Sequence, residues 1–304
     1  MFEHLRQPPA PYAGIRSIIE TPILDEYKWA KIPTIPADAF LIDLEDAVPA
    51  PGKERARDIA VEYVKDPSYF DGRVTIARPN HLSTPWGAED IDAFAEAGVK
   101  CMAYPKLETA EELIEVQELL RSKGADPDIF AIVETSRAVL EIDKIAAVDK
   151  VVGIMFGSGD LSVDAGIPLF GRNGLLNPAF EWAKLRTVLA GAAYGRLTVD
   201  VAFLKNLRDL DEVRVRYTEA RQLGFTTGVT FYPPHVPVLN DIFGPSAADL
   251  DEAEEIIATY EAAIDAGNPA VTLASGKTLL VHDYEKALRF RERAASDPVE
   301  PADE

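Results

Sequence analysis

The sequence predicts an α/β protein built on a (β/α)8 TIM barrel with a C-terminal helical extension. Eight apolar segments of strand length alternate with amphipathic segments of helix length over about 230 residues, which is the pattern of a closed parallel barrel. The alternative is an open doubly wound sheet. It is disfavoured because the first strand leads into no Gly-x-Gly-x-x-Gly turn and no Walker-type phosphate loop occurs in the chain.

Prolines, glycines and capping residues mark the boundaries of the predicted elements. The third strand breaks at Pro79, and the helix after the fourth strand begins with a capping pattern at Thr109 and ends at Gly124. The predicted strands are residues 15–19, 39–48, 73–80, 99–106, 129–134, 151–160, 198–204 and 227–234. The predicted helices between them are residues 25–31, 52–65, 87–97, 109–123, 136–149, 178–194 and 211–223, with a glycine-containing loop at 169–177.

The chain divides by composition into four parts. Residues 1–14 are rich in proline and are expected to form an irregular arm, and residues 15–245 contain the barrel. Residues 246–296 are expected to form a helical extension. Its first helix is residues 249–266, and its last helix ends at residue 293. Residues 297–304 are acidic and contain prolines, so we expect a disordered tail. Because such extensions are often donated to a neighbouring subunit, we expect a homo-oligomer.

Composition and charge exclude several classes of function. The chain is 47% apolar and 27% charged, as in ordinary globular proteins, and its formal charge of −20 disfavours nucleic acid and anionic lipid as partners. No apolar run reaches the roughly 20 residues that span a bilayer, and the first residues do not resemble a signal peptide, so we expect a cytoplasmic protein. The single cysteine, Cys101, excludes an internal disulfide and an all-cysteine metal site, and its apolar surroundings indicate a packed core thiol.

Two neighbouring apolar runs each end in one carboxylate, Glu134 and Asp160. The segment between them has the length and pattern of a crossover helix, so the two acids should meet at the carboxyl ends of adjacent parallel strands. Two carboxylates beside Gly157 and Gly159, which permit close approach of backbone and ligand, suit a hard divalent cation. We interpret this as a Mg²⁺ site. The alternative is that Glu134 caps the next helix and Asp160 anchors a turn.

Other polar side chains are expected at the same ends of the strands, where barrel active sites are built. None is a histidine or cysteine positioned as a conventional base or nucleophile. A cation held by two carboxylates beside an arginine suits chelation of an α-keto acid and stabilisation of an enolate. Arg78 could bind a carboxylate or polarise a carbonyl, or could instead pair with Asp43 or Glu45. The full set is Arg16, Asp43, Glu45, Asp46, Arg78, Asn80, Lys106, Glu134, Ser158 and Asp160.

The order of these motifs along the chain resembles the citrate lyase β-subunit-like family, within the wider HpcH/HpaI aldolase and malyl-CoA lyase group. The resemblance spans about residues 12–295, and the Leu-Glu-Asp-Ala-Val and Gly-Asp-Leu blocks are its specific parts. The matching blocks are Arg16-Ser-Ile-Ile-x-x-Pro22, Ile42-Asp-Leu-Glu-Asp-Ala-Val48, Ala77-Arg-Pro-Asn80, Tyr104-Pro-Lys106, Val133-Glu-Thr135, Phe156-Gly-x-Gly-Asp-Leu161 and Ala220-Arg-x-Leu-Gly-Phe225.

The resemblance implies a (β/α)8 barrel that assembles as a homotrimer or homohexamer. It implies Mg²⁺ on Glu134 and Asp160, with Arg16 and Arg78 as catalytic residues that hold the keto acid or acyl group. An aspartate of the C-terminal segment, matched here to Asp283, serves some relatives as a base in a neighbouring subunit. The remaining substrate-binding candidates are Glu45, Asp46, Lys106, Gly157 and Ser158. Relatives cleave or condense β-hydroxyacyl-CoA thioesters to give a keto acid.

Three departures from the family pattern lie around the expected substrate mouth. Glu20 and Thr21 precede Pro22 where an apolar pair is usual, and Ile23 replaces the usual glycine. Phe231-Tyr232-Pro233 stands where Ile-His-Pro is common, and residues 203–209 lack the usual abundance of aspartate. If Glu20 pointed inward it would repel an anionic cofactor.

These observations leave several functions open. The first is a Mg²⁺-dependent lyase acting on malyl-, citramalyl- or citryl-CoA. Within the same fold, the alternatives are an aldolase on a free hydroxy-keto acid and a thioester hydrolase. From another class, the chain could be a non-catalytic subunit that binds metal or ligand.

Overall fold

The first 243 residues of the computed structural model contain a closed barrel of eight parallel strands with helices outside it. The structure describes residues 6–172, 174–267, 271–273, 276 and 278–295, and all that follows concerns these residues. The strands follow one another around the barrel in chain order, and the first closes on the eighth. The expected (β/α)8 fold is therefore confirmed.

The bounds of the elements follow the predicted units closely. The strands are β1 (Ser17–Thr21), β2 (Ala39–Asp43), β3 (Val74–Arg78), β4 (Cys101–Tyr104), β5 (Asp128–Val133), β6 (Val151–Gly157), β7 (Leu197–Val201), β8 (Thr227–Thr230), β9 (Val271–Thr272) and β10 (Thr278–Leu279). The helices are α1 (Glu26–Trp29), α2 (Lys53–Lys65), α3 (Gly87–Glu96), α4 (Ala110–Ser122), α5 (Ser136–Ala147), α6 (Ser158–Asp164), α7 (Pro178–Tyr194), α8 (Leu210–Leu223), α9 (Val236–Phe243), α10 (Ala247–Asp265) and α11 (Val281–Ala294). The short helix α6 and the β9–β10 pair were not predicted.

Alternation along the strands divides the core into two layers. Ile18, Leu41 and Ile76 belong to the cluster inside the barrel, whereas Ile19 and Phe40 belong to the larger cluster between barrel and helices. Since side chains on a strand alternate between faces, the residues two positions beyond the first three also point inward, at the carboxyl end of the barrel. Those residues are Glu20, Asp43 and Arg78.

The amino end of the barrel is closed by the arm that precedes β1. The ring of Tyr12 packs edge-on against Phe130 with centroids 5.7 Å apart, and its hydroxyl donates to Asp128 Oδ2 at 2.8 Å. Both partners of Tyr12 lie inside or at the start of β5. The arm therefore forms the floor of the barrel.

Arg16 also lies at this floor, so the expectation that it ends the first strand at the mouth is wrong. It precedes Ser17, the first residue of β1, and its Nε and Nη2 donate to the two oxygens of Asp38 at 2.9 and 3.0 Å. Asp38 in turn precedes β2. The length of a five-residue strand, about 16 Å, separates Arg16 from the mouth.

The chain divides into two compact units between Phe243 and Gly244. In the second unit, α10 packs on α11, where Tyr260 and Tyr284 stack with centroids 4.9 Å apart. The antiparallel pair β9–β10 belongs to the same unit. The predicted acidic tail, residues 297–304, lies outside the described residues.

Two further expectations concern the environment of Cys101 and the presence of membrane-spanning helices. Cys101 is buried, and burial raises the pKa of its thiol, in accord with a packed core role. Among the described residues, no helix has the length and apolar character required to cross a membrane.

Candidate active site

The carboxyl end of the barrel carries a cluster of charged side chains centred on Arg78. Asp43 and Arg78 are register partners at the ends of β2 and β3. The Arg78 Nε lies 2.5 Å from Asp43 Oδ1 and 3.5 Å from Glu45 Oε2, and its Nη2 lies 3.2 Å from Glu20 Oε2. The pairing of Arg78 with Asp43 and Glu45, an alternative left open by the sequence, is therefore present.

Glu20 points into the barrel mouth, as its alternation with Ile18 requires. Its side chain is 18% exposed, and its Arg78 contact joins β1 to β3 across β2. Burial, opposed by Arg78 and reinforced by the carboxylates of Asp43, Asp46 and Glu45, raises the pKa of Glu20 to about 7. Glu20 was noted in the sequence as a departure but not assigned to the site.

Lys106 links the two sides of the mouth. Its backbone N–H donates to Glu134 Oε1 at 2.7 Å, and its ammonium contacts Glu45, lies 3.4 Å from Asp46 and lies 3.7 Å from Asp160. Its φ of 50° is left-handed, a conformation that is uncommon for residues other than glycine and clusters at functional sites. Lys106 therefore brings the acids after β5 and β6 together with those after β2.

Glu134 follows β5 directly and lies against Gly157, the last residue of β6. A β-carbon built on Gly157 would lie 2.6 Å from Glu134 Oε2 and 2.7 Å from its Cβ. The missing side chain of Gly157 thus makes room for Glu134, whereas a β-carbon on Gly159 would meet open space. The cap of α5 is the Thr135 side chain, which accepts from Ala138 N, so Glu134 does not cap that helix.

Asp160 lies in the first turn of α6 with its side chain 39% exposed. Ser158, the first residue of that helix, is buried, and its hydroxyl donates to the Val201 carbonyl at 3.5 Å. Asp160 and Glu134 therefore lie on the β5 and β6 side of the mouth, where the ammonium of Lys106 is near Asp160 and its backbone N–H contacts Glu134.

The electrostatics of the mouth favour a bound cation. Burial, together with the neighbouring carboxylates of Glu45 and Asp160, raises the pKa of Glu134 to about 8. Burial opposes the charge on Asp43 as well, yet the Arg78 guanidinium and two backbone N–H groups hold the pKa of Asp43 below its usual range. At Glu134 the Lys106 backbone N–H and the Arg78 charge offset the effect of burial only in part, so a positive ion would stabilise its carboxylate.

A Mg²⁺ ion suits this donor set. Magnesium is usually bound through one or two carboxylates and completes its shell with water and substrate oxygens. Glu134 and Asp160 provide two such carboxylates, and in the described part of the chain no three acidic, histidine or cysteine side chains converge as a ready-made cage. The residues that surround them fit an open site that shares its cation with a ligand.

Beneath the mouth lies a buried polar layer that sequence reasoning did not find. The ammonium of Lys53 donates to the carbonyls of Leu44 and Glu45 and to Asn80 Oδ1 at 2.6 to 2.7 Å. Asn80 also bonds to Asp90. These contacts fix the loop after β2, which carries Glu45 and Asp46. A lysine at a helix start gives no sign of such a role in the sequence.

Asp283 belongs to the second compact unit and lies in the first turn of α11. Its Oδ2 accepts from the backbone N–H of Leu280, the residue before the helix, at 3.0 Å, which is the reciprocal contact of a capping box. Asp283 therefore stabilises the start of α11 within its own chain.

Comparisons with known proteins agree with this architecture. A (3S)-malyl-CoA thioesterase of Cereibacter sphaeroides is 29% identical over 86% of this chain and 88% of its own length. The structure of CitE from Mycobacterium tuberculosis in complex with magnesium, acetoacetate and coenzyme A superposes with a TM-score of 0.76 at 27% identity, covering 92% of this chain and 97% of that one. A citrate lyase β subunit from M. tuberculosis complexed with oxaloacetate and magnesium gives a TM-score of 0.65 at 27% identity, covering 81% and 100%.

The family assignment rests on a match longer than half of the chain. The model of the family described as HpcH/HpaI aldolase/citrate lyase matches residues 22–233. That range includes the strand ends with Asp43, Arg78, Lys106, Glu134 and Asp160. The chain belongs to the HpcH/HpaI aldolase/citrate lyase family.

Proposed function

We propose that the protein is a Mg²⁺-dependent carbon–carbon lyase that cleaves or forms a β-hydroxyacyl-CoA thioester, with a keto acid as the second product. Malyl-, citramalyl- and citryl-CoA are the substrates of this type. The observation that carries the proposal is the buried Glu134, whose raised pKa, contact with Lys106 and proximity to Asp160 suit a cation site at the barrel mouth. Neighbours of known structure hold magnesium with keto acids and coenzyme A.

Glu134 and Asp160 would hold the cation. When bound, Mg²⁺ would act as a Lewis acid that chelates the keto acid oxygens and stabilises the charge of the enolate. The protein contributes a partly buried site in which such interactions are stronger than in water.

The basic side chains of the mouth would orient the substrate. Arg78 is held by Asp43 and Glu45 on one edge, so its guanidinium is fixed before a ligand arrives. Such preorganisation lets it polarise a substrate carbonyl without reorganising during the reaction. Lys106, whose side chain is 36% exposed, would donate to the oxygens of the acyl group.

Asp283 of a neighbouring copy is our candidate to remove the β-hydroxyl proton, in an assembly that we propose to be a homotrimer or homohexamer. Native mass spectrometry measures the number of copies. A monomer would leave each site without a residue from another chain and would contradict this part of the proposal.

A thioester hydrolase is the second candidate, because a relative that matches 86% of the chain is named a thioesterase. The two activities give different products from the same substrate. A lyase gives a keto acid and a shorter acyl-CoA, whereas a hydrolase gives free CoA and a hydroxy acid.

A panel of malyl-, citramalyl- and citryl-CoA, assayed with and without Mg²⁺, tests the proposal. We expect metal-dependent release of keto acid from at least one thioester, detected as its hydrazone. Release of free thiol, followed with a thiol reagent, would instead identify the hydrolase. Glu134→Gln serves as the inactive control, and absence of turnover in the wild type with every thioester would contradict an enzymatic role in this panel.

A further inference from the structure

We propose that Glu20 is a specificity-determining residue, which restricts the keto acid to one that carries a single carboxylate. The inference rests on the proposed function and narrows its substrate class. By occupying the Nη2 edge of Arg78, Glu20 fills the position that a second substrate carboxylate would take. Products of the pyruvate or glyoxylate type would then be accepted, and dicarboxylic products of the oxaloacetate type disfavoured.

The position of Glu20 follows from the register of the barrel. Glu20 is paired with Leu41 of β2, and Leu41 is paired with Ile76 of β3. The register therefore aligns Glu20 with Ile76, the inward-pointing residue that precedes Arg78 on β3, and a single strand separates Glu20 from Arg78. Their side chains meet at 3.2 Å.

Arg78 already balances more negative charge than it carries. Asp43 and Glu45 lie at its Nε and Glu20 lies at its Nη2, which gives three carboxylates for one guanidinium. A fourth carboxylate at this arginine would have to displace Glu20 or remain beside it. Like charges at such distances in a partly buried site repel each other.

The order of the strands orients the ligand. Glu134 and Asp160 follow β5 and β6, whereas Glu20 and Arg78 belong to β1 and β3. A keto acid held at the cation site beside the first pair would face the second pair across the mouth, and its remaining carbons would extend toward Glu20 and Arg78. At that point a methyl group is tolerated and a hydroxyl can donate to Glu20, but a carboxylate meets Glu20 itself.

Two keto acids of four carbons provide a matched test, because 2-oxobutyrate and freshly dissolved oxaloacetate differ by one terminal carboxylate. Their dissociation constants are measured by calorimetry on the full-length Mg²⁺-loaded protein at pH 8.5, where Glu20 is ionised. We expect the wild type to bind 2-oxobutyrate more tightly. Glu20→Gln should strengthen oxaloacetate binding by about tenfold and leave 2-oxobutyrate within about twofold.

Glu89→Gln is the matched control, since Glu89 also shares an arginine, Arg57, with a buried aspartate, but on the outer helices. It should leave both dissociation constants unchanged. Equal preference in the wild type, or an unchanged preference in a folded Glu20→Gln variant, overturns the inference while the proposed function stands. If the variant does not fold, the wild-type preference alone decides. Binding of neither acid to the Mg²⁺-loaded wild type overturns the proposed function and the inference with it.

Discussion

Glu134 and Gly157 are packed so closely that a β-carbon on the glycine would lie 2.6 Å from the carboxylate. Gly157→Ala should therefore displace Glu134 and weaken Mg²⁺ binding at least about tenfold. Changing a residue that orients a metal ligand typically lowers metal affinity by about 10- to 100-fold. Calorimetric titration with Mg²⁺ measures this. Gly159→Ala, two residues away in open space, is the control. Equal affinity in both variants would show that Glu134 is not a ligand.

The two acids proposed as ligands can be tested without an activity assay. In the wild type, Mg²⁺ should raise the thermal unfolding temperature, because an ion that binds the native state stabilises it. Glu134→Gln and Asp160→Asn should abolish that increase while keeping side-chain size. Asp143→Asn, an exposed residue of α5 paired with Arg186, should retain it. A full Mg²⁺ effect in either ligand variant would remove that residue from the proposed site.

The raised pKa of Glu134 predicts how stability depends on pH without metal. Its folded pKa, about 8, exceeds its ordinary value, 4.5, so the native state holds a proton that the unfolded chain releases between these limits. The free energy of unfolding should therefore fall as pH rises from about 4.5 to 8. Urea unfolding in the presence of a chelator should show a weaker fall in Glu134→Gln than in the wild type. Parallel profiles would contradict the assignment.

Arg78→Lys keeps the charge but removes the planar guanidinium that contacts three carboxylates. We expect a loss of at least about tenfold in kcat/KM together with a lower unfolding temperature, since a buried partner such as Asp43 would lose its contact. Lys106→Arg is the comparison, because it replaces the lysine of the mouth with arginine and also keeps the positive charge. Normal kinetics in Arg78→Lys, with only a stability loss, would leave Arg78 a structural residue.

Asp283 can be tested by mixing subunits. Asp283→Asn keeps an acceptor for the Leu280 N–H but cannot take a proton at physiological pH. If Asp283 completes the site of a neighbour, Asp283→Asn and Glu134→Gln should each be inactive alone and partly active in mixed oligomers, which contain some sites with both residues intact. Mixed oligomers confirmed by mass, yet without activity, would exclude a shared site.

The alternation of apolar and polar segments is a local property, and it was enough to predict the eight units and the position of Glu134 and Asp160 after adjacent strands. The position of Arg16 depends on where the first strand begins, and this could not be read locally. The apolar run at 15–19 suggested an early strand, whereas β1 extends to Thr21 through the polar Glu20. In the sequence alone, polar residues at the end of a strand cannot be distinguished from the first residues of a loop.

Glu20 and Lys53 show a second limit of the sequence. Their partners lie 58 and 27 residues away along the chain, at Arg78 and Asn80, and no spacing rule connects them. Period-two alternation from Ile18 would have directed Glu20 inward, provided that the strand was extended to include it. No such sequence pattern indicates the role of Lys53, because its contacts are mostly with backbone carbonyls.

The Tyr12 floor leaves the mouth as the route by which reactants reach the carboxylates, because the barrel between floor and mouth is filled with side chains. For a reaction that splits one molecule in two, both fragments must then depart through one opening. The fragment bound closest to the strand ends can leave only after the other fragment has left the opening. In the proposed reaction, the acyl-CoA would therefore leave first, and the keto acid held beside Glu134 would leave last.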